Sequence, residues 1–222
     1  MKLDEVMSTL KKAGKPNTAK IYQRHGSGPN VYGVSFADLG KLTKKIKKDH
    51  GLALELWSTG VGEAQTLALM IADPAQLKDD LADAWVADST NRGLRHYLAC
   101  LVARSPIATK KMKEWMKAKD EARRSTGYAI LAFLMRDTPA MLADGDLEKH
   151  LATIEKEIHG SPNWARYSML MGLISIGLRP SLQKKAIQAA RRIGKVDVDM
   201  GETSCKIPDA EEYILKASKR LC

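Results

Sequence analysis

Apolar residues recur along this chain at helical intervals. Ala108, Met112, Trp115 and Met116 fall at i, i+4, i+7 and i+8, and Lys110, Lys111, Lys113 and Lys117 fill the polar positions between them, the pattern of a helix with one buried stripe. From Ser35, whose hydroxyl can cap a helix with Asp38 three residues on, Leu39, Leu42 and Ile46 form a second inward stripe and predict a helix over 36–48. The same periodicity predicts helices near 3–13, 17–25, 52–58, 62–72, 75–87, 92–103, 120–136, 146–158, 163–176, 181–194 and 209–220, about a dozen in all. Strand signals are sparse. Val196, Val198 and Met200 alternate with Asp197 and Asp199, but one short segment builds no sheet by itself, so 195–208 is read as an extended loop.

A capping side chain followed by proline recurs at Asp73-Pro74, Ser105-Pro106, Thr138-Pro139 and Ser161-Pro162. Proline at the first helical position removes one orphan N–H and the residue before it can satisfy another, so each pair predicts a helix start. The first three lie 32 and 33 residues apart, a period within the range of helical hairpins that stack into a solenoid. The stretch at 26–33, rich in Gly, Pro and Asn, and the loop at 195–208 are both too short to be domain linkers. All 222 residues are therefore expected to form a single domain, 1–222.

Composition narrows the class. Hydrophobic residues at 44% can fill a core and charged residues at 28% can cover it, while an aromatic content of 5% favours helices over strands. No stretch approaches the roughly 20 apolar residues that span a bilayer, and the start, Met1-Lys2-Leu3-Asp4-Glu5, lacks the apolar core of a secretion signal. A cytoplasmic monomer with no membrane role is expected. Cys100, Cys205 and Cys222 contain no C-x-x-C pair, so neither a disulfide framework nor a cysteine zinc site is supported.

Lys and Arg number 36 against 26 Asp and Glu, a net charge of +10, which biases the surface toward polyanions. The positive charge gathers at helical spacing. Lys41, Lys44, Lys45 and Lys48 lie opposite the Leu39, Leu42, Ile46 stripe, and Lys184, Arg191 and Lys195 make a second row with Lys185 and Arg192 beside it. Arg123 and Arg124 open a third helix that turns apolar through Tyr128, Ile130, Leu131 and Phe133. Any one row can be a solvated face. In a solenoid, however, equivalent helices stand side by side, so basic residues on successive repeats would form a groove that contacts duplex phosphates without reading sequence. Aromatic residues are not interleaved with the basic ones, Tyr97 and Trp164 being the main candidates for base contact, and this argues against a single-strand stacking platform. Trp57, Trp85 and Trp115 fall on apolar stripes and are expected in the core.

No phosphate-loop, dinucleotide-binding, zinc-protease or nucleophile-elbow motif occurs. The histidines His25, His50, His96, His150 and His159 show no i, i+4 pair, so no metal and no other cofactor is expected. His50 and His159 are read as lying near helix C-termini, where an imidazolium is favourable.

Tyr22-Gln23-Arg24-His25-Gly26, Tyr32-Gly33-Val34-Ser35, Leu39-Gly40-Lys41-Leu42, Asp49-His50, Leu54-Glu55-Leu56-Trp57, Glu63-Ala64 and Leu67-Ala68 together resemble the DNA alkylation repair (AlkD-like) glycosylase family. The likeness continues through Arg123-Arg124, Arg166-Tyr167, Gly201-Glu202-Thr203, Cys205-Lys206 and Pro208-Asp209. It implies an all-α superhelical solenoid of HEAT-like antiparallel helix pairs, whose basic concave face holds double-stranded DNA. Active relatives belong to base excision repair. They excise cationic alkylpurines such as 3-methyladenine and 7-methylguanine hydrolytically and without metal.

Such chemistry needs an aromatic face for the cationic base, a carboxylate for the positive sugar that forms as the bond breaks and an arginine for the phosphate. In the family a tryptophan, and an aspartate one helical turn later, lie on the helix before the segment matching Ser105-Pro106. Here that helix begins Asn91-Arg92-Gly93-Leu94-Arg95-His96-Tyr97. Arg95 or His96 stands at the aspartate's place and Asn91 or Arg92 at the tryptophan's, and no carboxylate occurs between Asp88 and Glu114. Losing one such electrostatic stabiliser costs ~10²- to 10³-fold in rate.

Arg123 and Arg124 match the family's phosphate-gripping arginine, Trp164 lies near its second aromatic position, and Gln65 stands where relatives carry Arg, weakening a pairing with Glu63. The leading expectation is a protein that binds duplex DNA, alkylated or distorted, through Lys41, Lys44, Lys45, Lys48, Arg92, Arg95, Arg123, Arg124, Arg166, Lys184, Arg191 and Lys206, with an altered catalytic centre. Two alternatives stand beside it. One is an active glycosylase using Asp88, Glu114 or Asp120, and the other is a protein-interaction solenoid.

Overall fold

The computed structural model describes residues 1–219; Cys222 and the end of the helix expected at 209–220 lie outside the described residues. The described chain is all-α, with thirteen α-helices and no strand. They are α1 (Leu3–Ala13), α2 (Pro16–Arg24), α3 (Phe36–Ile46), α4 (His50–Ser58), α5 (Gly62–Ile71), α6 (Asp79–Asp88), α7 (Arg92–Ala103), α8 (Ala108–Trp115), α9 (Glu121–Asp137), α10 (Asp144–Glu157), α11 (Asn163–Gly177), α12 (Gln183–Ile193) and α13 (Ala210–Ser218). Among the described residues no helix is long and apolar enough to cross a membrane. The loop after α12 is extended as expected, with Val196 and Val198 buried and Asp197 and Asp199 exposed.

Ser161-Pro162 stands at the start of α11, with Pro162 at its N-cap, and Ser105-Pro106 lies two residues before α8, but the other two pairs do not start α-helices. Asp73-Pro74 and Thr138-Pro139 each begin a three-residue 3-10 turn, Pro74–Gln76 and Pro139–Met141. The hydroxyls of Ser105 and Ser161 donate backwards, to the carbonyls of Val102 and Glu157, and so close the preceding helices. The helix expected at 75–87 is accordingly a 3-10 turn followed by α6, with buried Leu77 between them. Side-chain caps come instead from Ser35, Asp49, Asn91, Asp120 and Asp209. Asp49 makes His50 the first residue of α4 rather than a C-terminal one.

The chain divides into two compact units, 1–107 with 201–203, and 108–200 with 204 onward. In the first unit α5 packs against α3, α4 and α7. Trp57 of α4 stacks on Trp85 of α6 with ring centroids 4.6 Å apart, and its indole N–H lies 3.4 Å from Asp88. Both tryptophans are core residues, as periodicity predicts.

Glu63 of α5 is the least expected buried group. Its carboxylate accepts from the backbone N–H groups of Tyr32 (3.0 Å), Gly33 (2.6 Å) and Val34 (3.1 Å). A buried charge is tolerated only when hydrogen bonds replace its water, and these three fasten the loop between α2 and α3 to α5. Gly33 has φ +81°, and a Cβ there would lie 2.1 Å from the Lys15 carbonyl oxygen. Only glycine satisfies both conditions.

In the second unit α11 packs against α9, α10, α12 and α13. Glu121 at the start of α9 accepts the N–H of Trp164 at the start of α11, and Gly172 lies beside Tyr128 and Leu131 about two and three turns farther along α9. The two helices therefore run in the same direction. Gly127 brings α9 onto the end of α8, where a Cβ would lie 2.5 Å from the Met116 nitrogen. Trp115 is fully buried there. Lys111, expected on the polar face of α8, is buried too, with its ammonium 3.2 Å from Glu114 and 5.8 Å from the Trp115 ring centroid.

These contacts set two predictions. Glu63→Gln puts an amide N–H₂ where a donor is already aimed and should cost about 2–3 kcal/mol in denaturant unfolding; an unchanged midpoint would contradict the clasp. Gly127→Ala should cost about 1–3 kcal/mol by overpacking. Gly145→Ala on α10, with nothing near its would-be Cβ, should instead lose nothing or gain up to about 1 kcal/mol.

Candidate nucleic-acid interface

The basic row on α3 is exposed but not bare. Lys41 lies 2.7 Å from Asp38, Lys45 3.9 Å from Glu5 and Lys48 3.3 Å from Asp73. Hydrogen bonds from Lys41 and Ser35 hold the Asp38 carboxyl below its ordinary value, and bonds from Gln76 and the Ala75 backbone do the same for Asp73, with a smaller contribution from Lys48. Lys44 is exposed. Lys48 departs from the expected row because α3 ends at Ile46 and Lys47 turns to φ 66°. Exposed pairs of this kind are worth about 0–1 kcal/mol each, so their lysines can exchange carboxylate for phosphate at little cost.

The first turn of α7 carries the segment that the sequence marks as the altered centre. Asn91 caps it by accepting the N–H of Leu94 at 3.0 Å. Arg92 is exposed, and the half-buried Arg95 donates from Nε to the Ser89 carbonyl at 3.2 Å. His96 is exposed and lies edge-on to Tyr97, with centroids 5.7 Å apart. The carboxylates nearest in sequence are engaged: Asp88 faces the Trp57 indole, Glu114 the Lys111 ammonium, and Asp120 caps α9 and pairs with Arg123 at 3.4 Å.

Tyr97 also meets two aromatic residues whose proximity the sequence does not reveal. The Phe36 ring stacks against it at 6.0 Å and 21°, and Tyr22 lies 5.9 Å from Phe36 on a tilted plane. Phe36 is 52% exposed, whereas Tyr22 and Tyr97 are half-buried. Burial pushes both tyrosine hydroxyls up, with Glu63 adding to the shift at Tyr22. Phe36 lies one turn before Leu39 on α3, yet its ring stays at the surface.

In the second unit Arg123 and Arg124 have different surroundings. Arg123 is about one-third exposed beside Asp120, while the Arg124 side chain is 13% exposed and its guanidinium is bonded to Glu157 at the end of α10. Tyr128, one turn on, is fully buried, and burial pushes its phenol up to about 12 against partial opposition from Arg124. Trp164 is half-buried with its ring edge-on to Tyr167, and Arg166 is half-buried between them in sequence.

On α12 Lys184 is exposed, Arg191 pairs with Glu211 and Arg192 with Glu155. Lys195 leaves the expected row because the helix stops at Ile193 and Gly194 takes φ +67°. Arg191, Lys195 and Lys206 line a cavity of about 650 Å³ together with Asp197, Asp209 and Glu211. Among the described residues no group of three His, Cys, Asp or Glu side chains is placed to hold a metal.

A model of the family described as DNA alkylation repair enzyme matches residues 6–195. The uncharacterized protein Lin0241 of Listeria innocua is 32% identical over 98% of both chains, and the uncharacterized protein Lmo0209 of Listeria monocytogenes is 30% identical over 98% of this chain and 97% of its own. A solved structure matches with TM-score 0.91 and 28% identity over 99% of this chain and 95% of that one. It is described as a new family of proteins related to the HEAT-like repeat DNA glycosylases with affinity for branched DNA structures. The expected fold class, all-α and HEAT-like, agrees with that likeness.

The raised Tyr128 phenol gives a pH signature. Above the ordinary tyrosine value near 10, the unfolded chain releases a proton that the folded chain holds until about 12. Stability should therefore fall as pH rises through that window. Tyr128→Phe should flatten the decline, leaving the smaller part due to Tyr22 and Tyr97; an identical slope in the variant would contradict the assignment.

Proposed function

We propose that this chain, which belongs to the DNA alkylation repair enzyme family, binds duplex DNA through its basic helix faces, favours branched or distorted structures and does not excise bases. The observation that carries this reading is the first turn and a half of α7. Where the family resemblance calls for an aromatic ring and a carboxylate, it holds Asn91 as a cap, then Arg92, Arg95 and His96. Cationic or neutral groups there offer no attraction to a developing oxocarbenium ion. Asp88, Glu114 and Asp120, the carboxylates of the alternative reading, each serve a structural partner.

Phosphate binding falls to the exposed cations. Lys41, Lys44, Lys45, Lys48 and Arg92 serve in the first unit, and Lys184, Arg191 and Lys206, joined by the part-exposed Arg123, in the second. Arg95, Arg124 and Arg166 are less accessible and act mainly by shaping the surface around them. The preference for branched DNA is carried over from the relative with that affinity. The protein acts as a cytoplasmic monomer and needs no metal.

Fluorescence polarisation with a four-way junction and a linear duplex of the same sequence tests the reading. The junction should bind more tightly. For about five phosphates neutralised, log affinity should fall with log salt at a slope of about −4 to −5. No binding at low salt, or binding independent of salt, would overturn it.

A further inference from the structure

Three aromatic rings from three helices meet in the first unit: Tyr22 of α2, Phe36 of α3 and Tyr97 of α7. They are held firmly. The Tyr22 hydroxyl donates to the Val34 carbonyl at 2.8 Å, the Val34 N–H donates to Glu63, and the Ser35 hydroxyl caps α3 immediately before Phe36. Buried Leu94 and Leu98 fix the turn of α7 that carries Tyr97. The Phe36 ring thus has Tyr97 behind it and remains half open to water, although burying such a ring would be worth about 1.5–3 kcal/mol. A rigid aromatic surface left exposed in this way marks a place where something flat can dock.

We infer that Phe36, backed by Tyr97, is a stacking shelf for an unpaired nucleobase at a DNA branch point. The inference rests on the DNA-binding reading above and adds the feature that is recognised. Within an intact duplex every base face is already covered by its neighbours. At a branch point a face becomes available, and stacking on an aromatic side chain is indifferent to which base supplies it. The setting suits a nucleic acid. Lys41 stands a little over one turn beyond Phe36 on α3, and Lys15 is near enough to Asp38 to help hold its carboxyl low, so two ammonium groups flank the helix start. The exposed His96 ring lies edge-on to Tyr97. Phosphates on either side of the stacked base would meet the Lys15 and Lys41 ammonium groups, and a cationic surround of this kind disfavours a basic or apolar protein segment as occupant.

The test uses a three-way junction with 2-aminopurine at the branch point, read by its fluorescence and by polarisation, beside a linear duplex. Wild-type protein should quench the 2-aminopurine as it binds. Phe36→Ala should abolish the quenching, weaken junction binding by about five- to a hundredfold and narrow the junction-to-duplex preference by the same factor. Phe36→Trp, which keeps a ring in place, should retain both signals. If the alanine variant, folded by circular dichroism, keeps the wild-type preference and the wild-type quenching, the shelf is overturned while DNA binding stands. If wild-type protein binds neither DNA, the reading beneath the inference fails and the inference fails with it.

Discussion

One carboxylate ties the N-terminal third of the chain together. Glu63 comes from the middle of the first unit, and its three backbone hydrogen bonds reach a loop some thirty residues earlier. Removing a charge from water costs several kcal/mol per ion unless the lost hydration is replaced, so the loop must present its N–H groups in one arrangement. Gly33 supplies the positive φ and the missing Cβ that allow this. From there the order passes outward: Val34 receives Tyr22, Ser35 caps α3, and Phe36 is set against Tyr97. A buried structural contact thereby determines what the surface offers to a ligand.

The surface electrostatics divide in a similar way. Lysines on α3 and arginines on α12 face carboxylates in exposed pairs that contribute little to stability. Such pairs lower the net field of each face, yet they leave the cations in place for a stronger anionic partner. Arg124 is of another kind, since its half-enclosed guanidinium is committed to Glu157 above the buried Tyr128. Two adjacent arginines with the same charge therefore serve different ends, one available at the surface and the other joining α9 to α10.

Much of the fold was legible in the sequence because helical periodicity reports burial directly. The stripes at 3–13 and 92–103 correspond to α1 and α7, and Ser35 caps α3 as its spacing to Asp38 implied. Proline was a less faithful guide. Its fixed φ suits a 3-10 turn as well as an α-helix, so Pro74 and Pro139 mark short turns between helices. Local pattern also misplaced Lys111, whose long chain lets a cation lie over Trp115 inside an otherwise apolar layer. The helix that carries Asn91 to Tyr97, with its Asn91 cap, follows the expected bounds of 92–103. The aromatic cluster was not legible, because Phe36 and Tyr97 are sixty-one positions apart and nothing in either neighbourhood signals the other.

The proposed recognition without excision rests on a scaffold with exposed cations and aromatic rings that carries Arg95 and His96 where the family resemblance calls for a carboxylate to stabilise the cationic sugar left as the base departs. The most direct measurement is release of free base from duplex DNA carrying 7-methylguanine and 3-methyladenine, with binding of the same duplex recorded in parallel. Binding accompanied by release at the spontaneous rate is the predicted result. Release above that rate would contradict it, and would mean that one of the carboxylates at Asp88, Glu114 or Asp120 leaves its structural partner to do chemistry.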